Sequence, residues 1–195
     1  MEMTMKISEE QVRKSKSAKL ILLFAMVSMT MMFAGLTSAF VVSKSRADWL
    51  KNFELPSAFY YSTAVIIGCS IAFHLAKKAI QKDKRSATTG FLLATLLLGI
   101  AFVVLQFEGF GQIVKSGYYF TGKGSSITTT FLYVVTVTHL LHLAGGLISL
   151  LIVIYNHFKQ KYNSTQTLGI ELGAMYWHFL DLLWVYLFLF LYFFK

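Results

Sequence analysis

The sequence predicts an all-α protein, an integral membrane bundle of five transmembrane helices with its N-terminus inside and its C-terminus outside. Three observations carry that prediction. The 195 residues are 56% hydrophobic and 16% aromatic, but only 14% charged, where a soluble domain carries about a quarter. Five predominantly apolar segments have the length, about 20 residues, that crosses a hydrocarbon core. The basic residues fall in short blocks between those segments, where topology signals belong. The net charge of +9 is therefore read as orientation, and nucleic acid is excluded as a partner.

Taken in order, residues 1–18 form a polar, basic arm carrying Lys6, Arg13, Lys14 and Lys16. The first span, 20–42, is longer than the apolar part of a secretory signal and has no small-residue exit, so it is expected to be retained. Residues 44–54 are a polar connection. Pro56 then opens the second span, 57–76, at a position where a helix tolerates a missing N–H. Lys77, Lys78, Lys82, Lys84 and Arg85 make the most basic loop.

The third span is expected over 88–107, with Glu108 marking its end. Five glycines, Gly109, Gly111, Gly117, Gly122 and Gly124, give 109–126 the look of an irregular connection. The fourth span, 127–155, is long enough to require tilt or a projecting end. The fifth, 171–194, follows a polar loop.

Summing Lys and Arg on alternate sides gives twelve on the side of the N-terminus and six on the other, which places the N-terminus and the polar arm in the cytoplasm. The chain reads as one domain over 1–195, with no repeat of 20 to 50 residues. Its single cysteine, Cys69, allows no intrachain disulfide and reads as a packing residue.

The informative stretch is GIELGAMYWHFLDLLWVYLF, 169–188. It puts Glu171, His178 and Asp181 in a span, where ionisable groups are costly unless paired or used. Trp177, His178, Asp181 and Trp184 follow helical offsets and are expected on one face. On the fourth span His139 and His142 are i, i+3 neighbours, and Gly145, Gly146 and Ser149 offer a close approach to another helix. At about 1.5 Å per residue, Asp181 and His142 both fall near mid-membrane. The expectation is a His–carboxylate cluster between the two helices, compensated by hydrogen bonds.

Four uses fit such a cluster: a metal or di-iron site, a haem held by the histidines, a proton relay, or a structural or lipid-holding contact. A metal site calls for more ligands and an orienting outer shell. A haem calls for an axial ligand pair, and a relay for a continuous route. Polar residues that lock helices or hold a lipid head group need the least. Glu171 suits the positive end of its helix. His74 and His157 read as interfacial residues. Nothing in the chain resembles a nucleophile–base pair, a phosphate loop or a thiolate metal motif.

The same stretch resembles the C-terminal signature of subunit III of the haem–copper respiratory oxidases. The G-x-E-x-G-A-x-Y-W-H-F-x-D-x-x-W pattern is matched by Gly169, Glu171, Gly173, Ala174, Tyr176, Trp177, His178, Phe179, Asp181 and Trp184. THLLHLAGGLISLL, with His139, His142 and Gly146, is similar to a second family helix. GIAFVVLQFEGF, LPSAFYYSTAVIIGCS (Leu55, Pro56, Ser62, Thr63) and FAGLTSAF extend the likeness over about 20–195.

The resemblance implies the five-helix form of a family that often has seven spans. It implies an accessory, non-catalytic subunit of a proton-pumping terminal oxidase in a bacterial cytoplasmic membrane. That complex passes electrons from cytochrome c to oxygen. The implied partners are subunit I above all, subunit II and the other oxidase subunits, a respiratory supercomplex and phospholipids. Haems and copper belong to subunits I and II; no cofactor, metal or catalytic residue is expected in this chain. His139, His142, Glu171, Trp177, His178 and Asp181 are expected to act at a subunit interface or with lipid. A quinol oxidase, a nitric oxide reductase-associated homologue, or an unrelated small scaffold or transporter are the alternatives. Two positions depart from the family: Met29 stands where a buried glutamate is common, and Gly109 where an acid often follows Gln106.

Overall fold

A computed structural model describes the backbone of residues 2–50, 53–122, 124–164 and 166–194, and the side chains of these except 2–9 and 11. Lys6, Lys51, Lys123 and Lys195 of the charge count lie outside the described side chains. Five long helices make up the bundle: α1 (Glu2–Val42), α2 (Ser57–Gln81), α3 (Arg85–Lys115), α4 (Ile127–Phe158) and α5 (Leu168–Phe194), with one 3-10 turn at Ser43–Ser45. No strand occurs among the described residues. Each helix is long and apolar enough to cross a membrane.

The outer surface fits that reading. Leu97, Phe107, Leu141, Ile148 and Leu182 all stand exposed, apolar groups turned toward what would be lipid rather than water. Inside, Phe59, Ile66 and Phe73 of α2, Phe102 of α3, Leu143 and Leu150 of α4, and Trp177, Leu180 and Trp184 of α5 form one core. Helices in lipid gain little from hydrophobic burial, so close fit and interhelical hydrogen bonds hold such a bundle.

All five helices run beyond the ends expected for them, α2 continuing to Gln81 and α4 to Phe158. The polar arm continues α1, which is helical from Glu2; Glu10 and Lys14 pair one turn apart at 2.8 Å. α3 runs on through Gly109 and Gly111 to Lys115, where an irregular connection was expected. The cause is tertiary: the Phe59 ring occupies the space a Cβ at Gly109 would take. One turn on, the Gln112 side-chain oxygen accepts from the Ser57 hydroxyl and the Ala58 N–H at the start of α2. Packing outweighs the roughly 1 kcal/mol helix penalty of a glycine. α5 begins at Leu168, three residues before Glu171.

Connections at each end are tied. At the end bearing the α1 arm, α2 and α3 join through a tight turn with Asp83 at φ 54°. The Asp83 carboxylate accepts from the Ser164 N–H of the α4–α5 loop at 2.9 Å, and Thr89 bonds His157 at 2.9 Å. At the other end Ser126 caps α4 in a reciprocal pair with Thr129, and Leu50 donates to the Thr128 hydroxyl at 3.0 Å. There Arg46 donates to Asp48 and holds that carboxyl below its usual range.

α5 is the hub. It lies against α1, α2 and α4, and its indoles reach α3 at Gly99 and Phe102. α1 touches only α4 and α5 among the long helices of the described residues.

Candidate functional site

Where α4 meets α5, the seam is filled by indole and leucine. A Cβ on Gly146 would meet Leu180 at 2.8 Å and Trp177 at 3.4 Å, and Gly145 faces the Tyr176 hydroxyl at 3.6 Å. Gly173 on α5 answers with Val153 at 3.0 Å and Ser149 at 3.9 Å. The small-residue stripe read from the sequence is therefore used, and it brings α4 and α5 together.

The expected His–carboxylate cluster does not form across that seam. His139 is fully buried, yet its ring packs against Trp184 at 5.3 Å and Phe102 at 6.0 Å, and neither ring nitrogen has a hydrogen-bond partner. His142 turns toward α1: its ring meets Phe33 at 5.7 Å, and its Nδ1–H donates to the Thr138 carbonyl at 2.8 Å. Its own carbonyl accepts from the Tyr176 hydroxyl at 3.1 Å. Neither histidine reaches Asp181. The indoles take the room a His–Asp pair would need.

The single face expected of Trp177, His178, Asp181 and Trp184 also divides. At about 100° per residue, Trp177, Asp181 and Trp184 point inward and are buried, while His178 lies further round and is half-buried. His178 faces α2, where its Nδ1 meets the Ser70 hydroxyl at 2.6 Å. Its ring stands 6.2 Å from that of His74 and 6.4 Å from Phe73. Asp181, 4% exposed, lies beside Ser70; both its carboxylate oxygens are without a hydrogen-bond partner.

Glu171 stands apart, in the first turn of α5. It accepts from the Lys19 ammonium of α1 at 2.6 Å and from the Thr167 hydroxyl at 2.7 Å. Trp184 donates its indole N–H to the Thr63 hydroxyl of α2 at 3.1 Å. Gln106, an expected family position, gives its amide to Ser62 at 2.9 Å, both buried.

The six candidate residues thus serve three settings: an α1–α5 tie at Glu171, an α4–α5 packing seam with His139, His142 and Trp177, and an α2–α5 polar strip with His178 and Asp181. Sequence reasoning did not single out Ser70, Lys19 or Thr167. A signal for the first was present, since Ser70, His74 and Lys77 follow i, i+4, i+7 spacing and share a face of α2. No group of three or more His, Cys, Asp or Glu is placed to hold a metal ion among the described residues.

Comparison with known proteins bears on the whole chain. The sequence model of one family, described as Cytochrome c oxidase subunit III, matches residues 4–195. A protein of Petromyzon marinus named cytochrome c oxidase subunit 3 is 32% identical over 143 residues, 73% of this chain and 51% of that protein. The Spodoptera frugiperda protein of the same name is 31% identical over 140 residues, 72% of this chain and 89% of its own length. A probable cytochrome c oxidase subunit 3 of Nocardia farcinica is 29% identical over 170 residues, 84% of this chain and 81% of its own. The chain spans about half the length of the Petromyzon and Drosophila relatives.

Proposed function

The chain belongs to the cytochrome c oxidase subunit III family, and from that premise we propose that it is an accessory, non-catalytic subunit of a proton-pumping terminal oxidase. In this reading it braces subunit I, offers lipid sites along its grooves and sustains proton uptake during turnover. The complex takes electrons from cytochrome c and reduces oxygen in subunits I and II, which hold the haems and copper. The N-terminal arm lies in the cytoplasm and the C-terminus outside, in the cytoplasmic membrane of a bacterium.

One observation supports this reading most directly. Most of the polar side chains on the signature helix are spent on helix contacts within the chain: Glu171 on α1, Tyr176 on α4, His178 and Trp184 on α2. The outward faces stay apolar. That is the design of a helix clamp that docks beside another membrane protein, and the first span, largely uncovered by its own chain, leaves area for such a neighbour or for lipid.

The test is purification from native membranes through a tag on this chain. Co-isolation of haem- and copper-containing oxidase subunits, with faster inactivation during turnover in their complex once this chain is deleted, is the expected result. A stable, haem-free preparation with no oxidase subunit would overturn it and favour a scaffold or transporter. The haem types and electron donor that accompany the chain separate the cytochrome c oxidase from a quinol-oxidising relative.

A further inference from the structure

Among the described residues Asp181 is the one carboxyl set deep in the bundle, and neither of its oxygens accepts a hydrogen bond. Every ion pair among the described residues lies elsewhere, at Lys14–Glu10, Lys19–Glu171 and Arg46–Asp48. An ionised carboxylate left bare in a low-dielectric interior costs far more than the same carboxyl carrying its proton. Beside it begins a line of exchangeable groups. The Ser70 hydroxyl adjoins Asp181 and lies 2.6 Å from His178 Nδ1. His178 Nε2 has no partner, and the His74 ring, exposed on the bundle surface, stands 6.2 Å from the His178 ring. Lys77 lies near both His178 and Glu171.

These groups follow one stripe on each helix, Ser70, His74 and Lys77 on α2 against Asp181, His178 and Glu171 on α5. The stripe runs from mid-membrane to the end that bears the α1 arm, about 15 Å along α5. We propose that Asp181 is a proton-binding site that exchanges with the aqueous phase at that end through Ser70, His178 and His74. The inference extends the accessory reading by giving this chain a proton of its own.

Each transfer is balanced. The Asp181 O–H bond breaks as its proton passes to the Ser70 oxygen, while the Ser70 hydroxyl proton moves to His178 Nδ1. The imidazolium so formed then releases its Nε2 proton toward His74, and the reverse sequence reloads the carboxyl. Imidazole suits this because its two nitrogens can take and give on opposite sides.

The surrounding groups leave the route open at one end only. From α2, Cys69 precedes Ser70 in the chain but commits its thiol to the Thr95 carbonyl of α3 at 3.2 Å. The α4 histidines point away, His139 to Phe102 and Trp184 and His142 to Phe33. From α1, Lys19 is engaged with Glu171 at the far end of the strip, and Lys77 contributes the other nearby charge.

The test is infrared difference spectroscopy of the full chain in its purified complex. The C=O stretch of a protonated carboxyl is expected in the native protein at neutral pH and is lost in Asp181→Asn. In D2O that band shifts, and in His178→Phe the shift is slower by at least about a hundredfold, the low side of what a positioned proton-transfer group contributes. His178→Phe keeps an aromatic ring of similar size, so this arm stands even if Asp181→Asn fails to assemble. Absence of a carboxyl band assignable to Asp181 overturns the site. A band whose exchange is unaffected by His178→Phe overturns the route. Both measurements read the proton directly, so they are separate from whether the chain co-purifies with an oxidase.

Discussion

The Lys19 ammonium stands 2.6 Å from a Glu171 carboxylate oxygen, fastening α1 to the first turn of α5 across 152 positions of sequence. The Lys19 side chain is 41% exposed, so solvent screens the pair. Glu171→Gln is expected to lower stability by only about 0.2–1 kcal/mol, and added salt should erase most of the difference between the two proteins in an unfolding titration. A larger loss that salt leaves unchanged would assign Glu171 a task other than this tie.

Trp184 and Thr63 make a sharper case, because the indole N–H is held in the core. Thr63→Val removes the acceptor and keeps the shape; the expected cost is about 0.6–1.7 kcal/mol, the range for interhelical hydrogen bonds in membranes. Trp184→Leu also opens space beside Phe59, Phe102 and His139 and should cost about 3 kcal/mol or more. A double-mutant cycle by unfolding in detergent checks whether the two are coupled; strict additivity would mean the bond contributes nothing.

Two glycines on α3 should respond oppositely to the same substitution. At Gly109 a Cβ meets the Phe59 ring, whereas at Gly111 nothing lies within 4 Å. Gly109→Ala is expected to destabilise by about 1–3 kcal/mol through overpacking. Gly111→Ala should be neutral or stabilising by up to about 1 kcal/mol, since alanine favours the helix. Thermal unfolding of the two variants side by side decides it, and equal behaviour would contradict the helical course of this segment.

For His139 the expected outcome is tolerance. Its nitrogens make no hydrogen bond within the chain, so His139→Leu removes buried polar atoms without stranding a partner, a change that is nearly neutral or stabilising when shape is kept. Retained assembly and thermal stability are the expected readings. Collapse of the fold on this substitution would mean that the ring is needed for a contact beyond this chain.

Much of the architecture was legible before any coordinates. Apolar runs of membrane length are unambiguous because lipid forces every backbone group into a helix, and the five spans follow. Glycine content misread the end of α3, since the reason for Gly109 is Phe59, fifty residues away, and no local pattern contains it. The polar residues of α5 were also legible as unusual. Their partners were not, because periodicity gives the face a side chain leaves from and not the helix it meets. His142 and Asp181 looked matched in depth; His142 turns to Phe33 of α1, indoles fill the seam, and Asp181 is left without a hydrogen-bond partner while Ser70 bonds His178.

That α1 rests, among the long helices of the described residues, on α4 and α5 alone has a consequence for biogenesis. It leaves the ribosome ahead of both its supports and must wait in the bilayer, with most of its circumference bare, until the far end of the chain is inserted. The α2–α3 hairpin can zip up as it emerges, but α1 gains its full seat only when α5 joins α4. Chains stalled before Leu168 should therefore hold a packed hairpin and a first helix seated on α4 alone, the form a membrane quality-control protease would find easiest to seize.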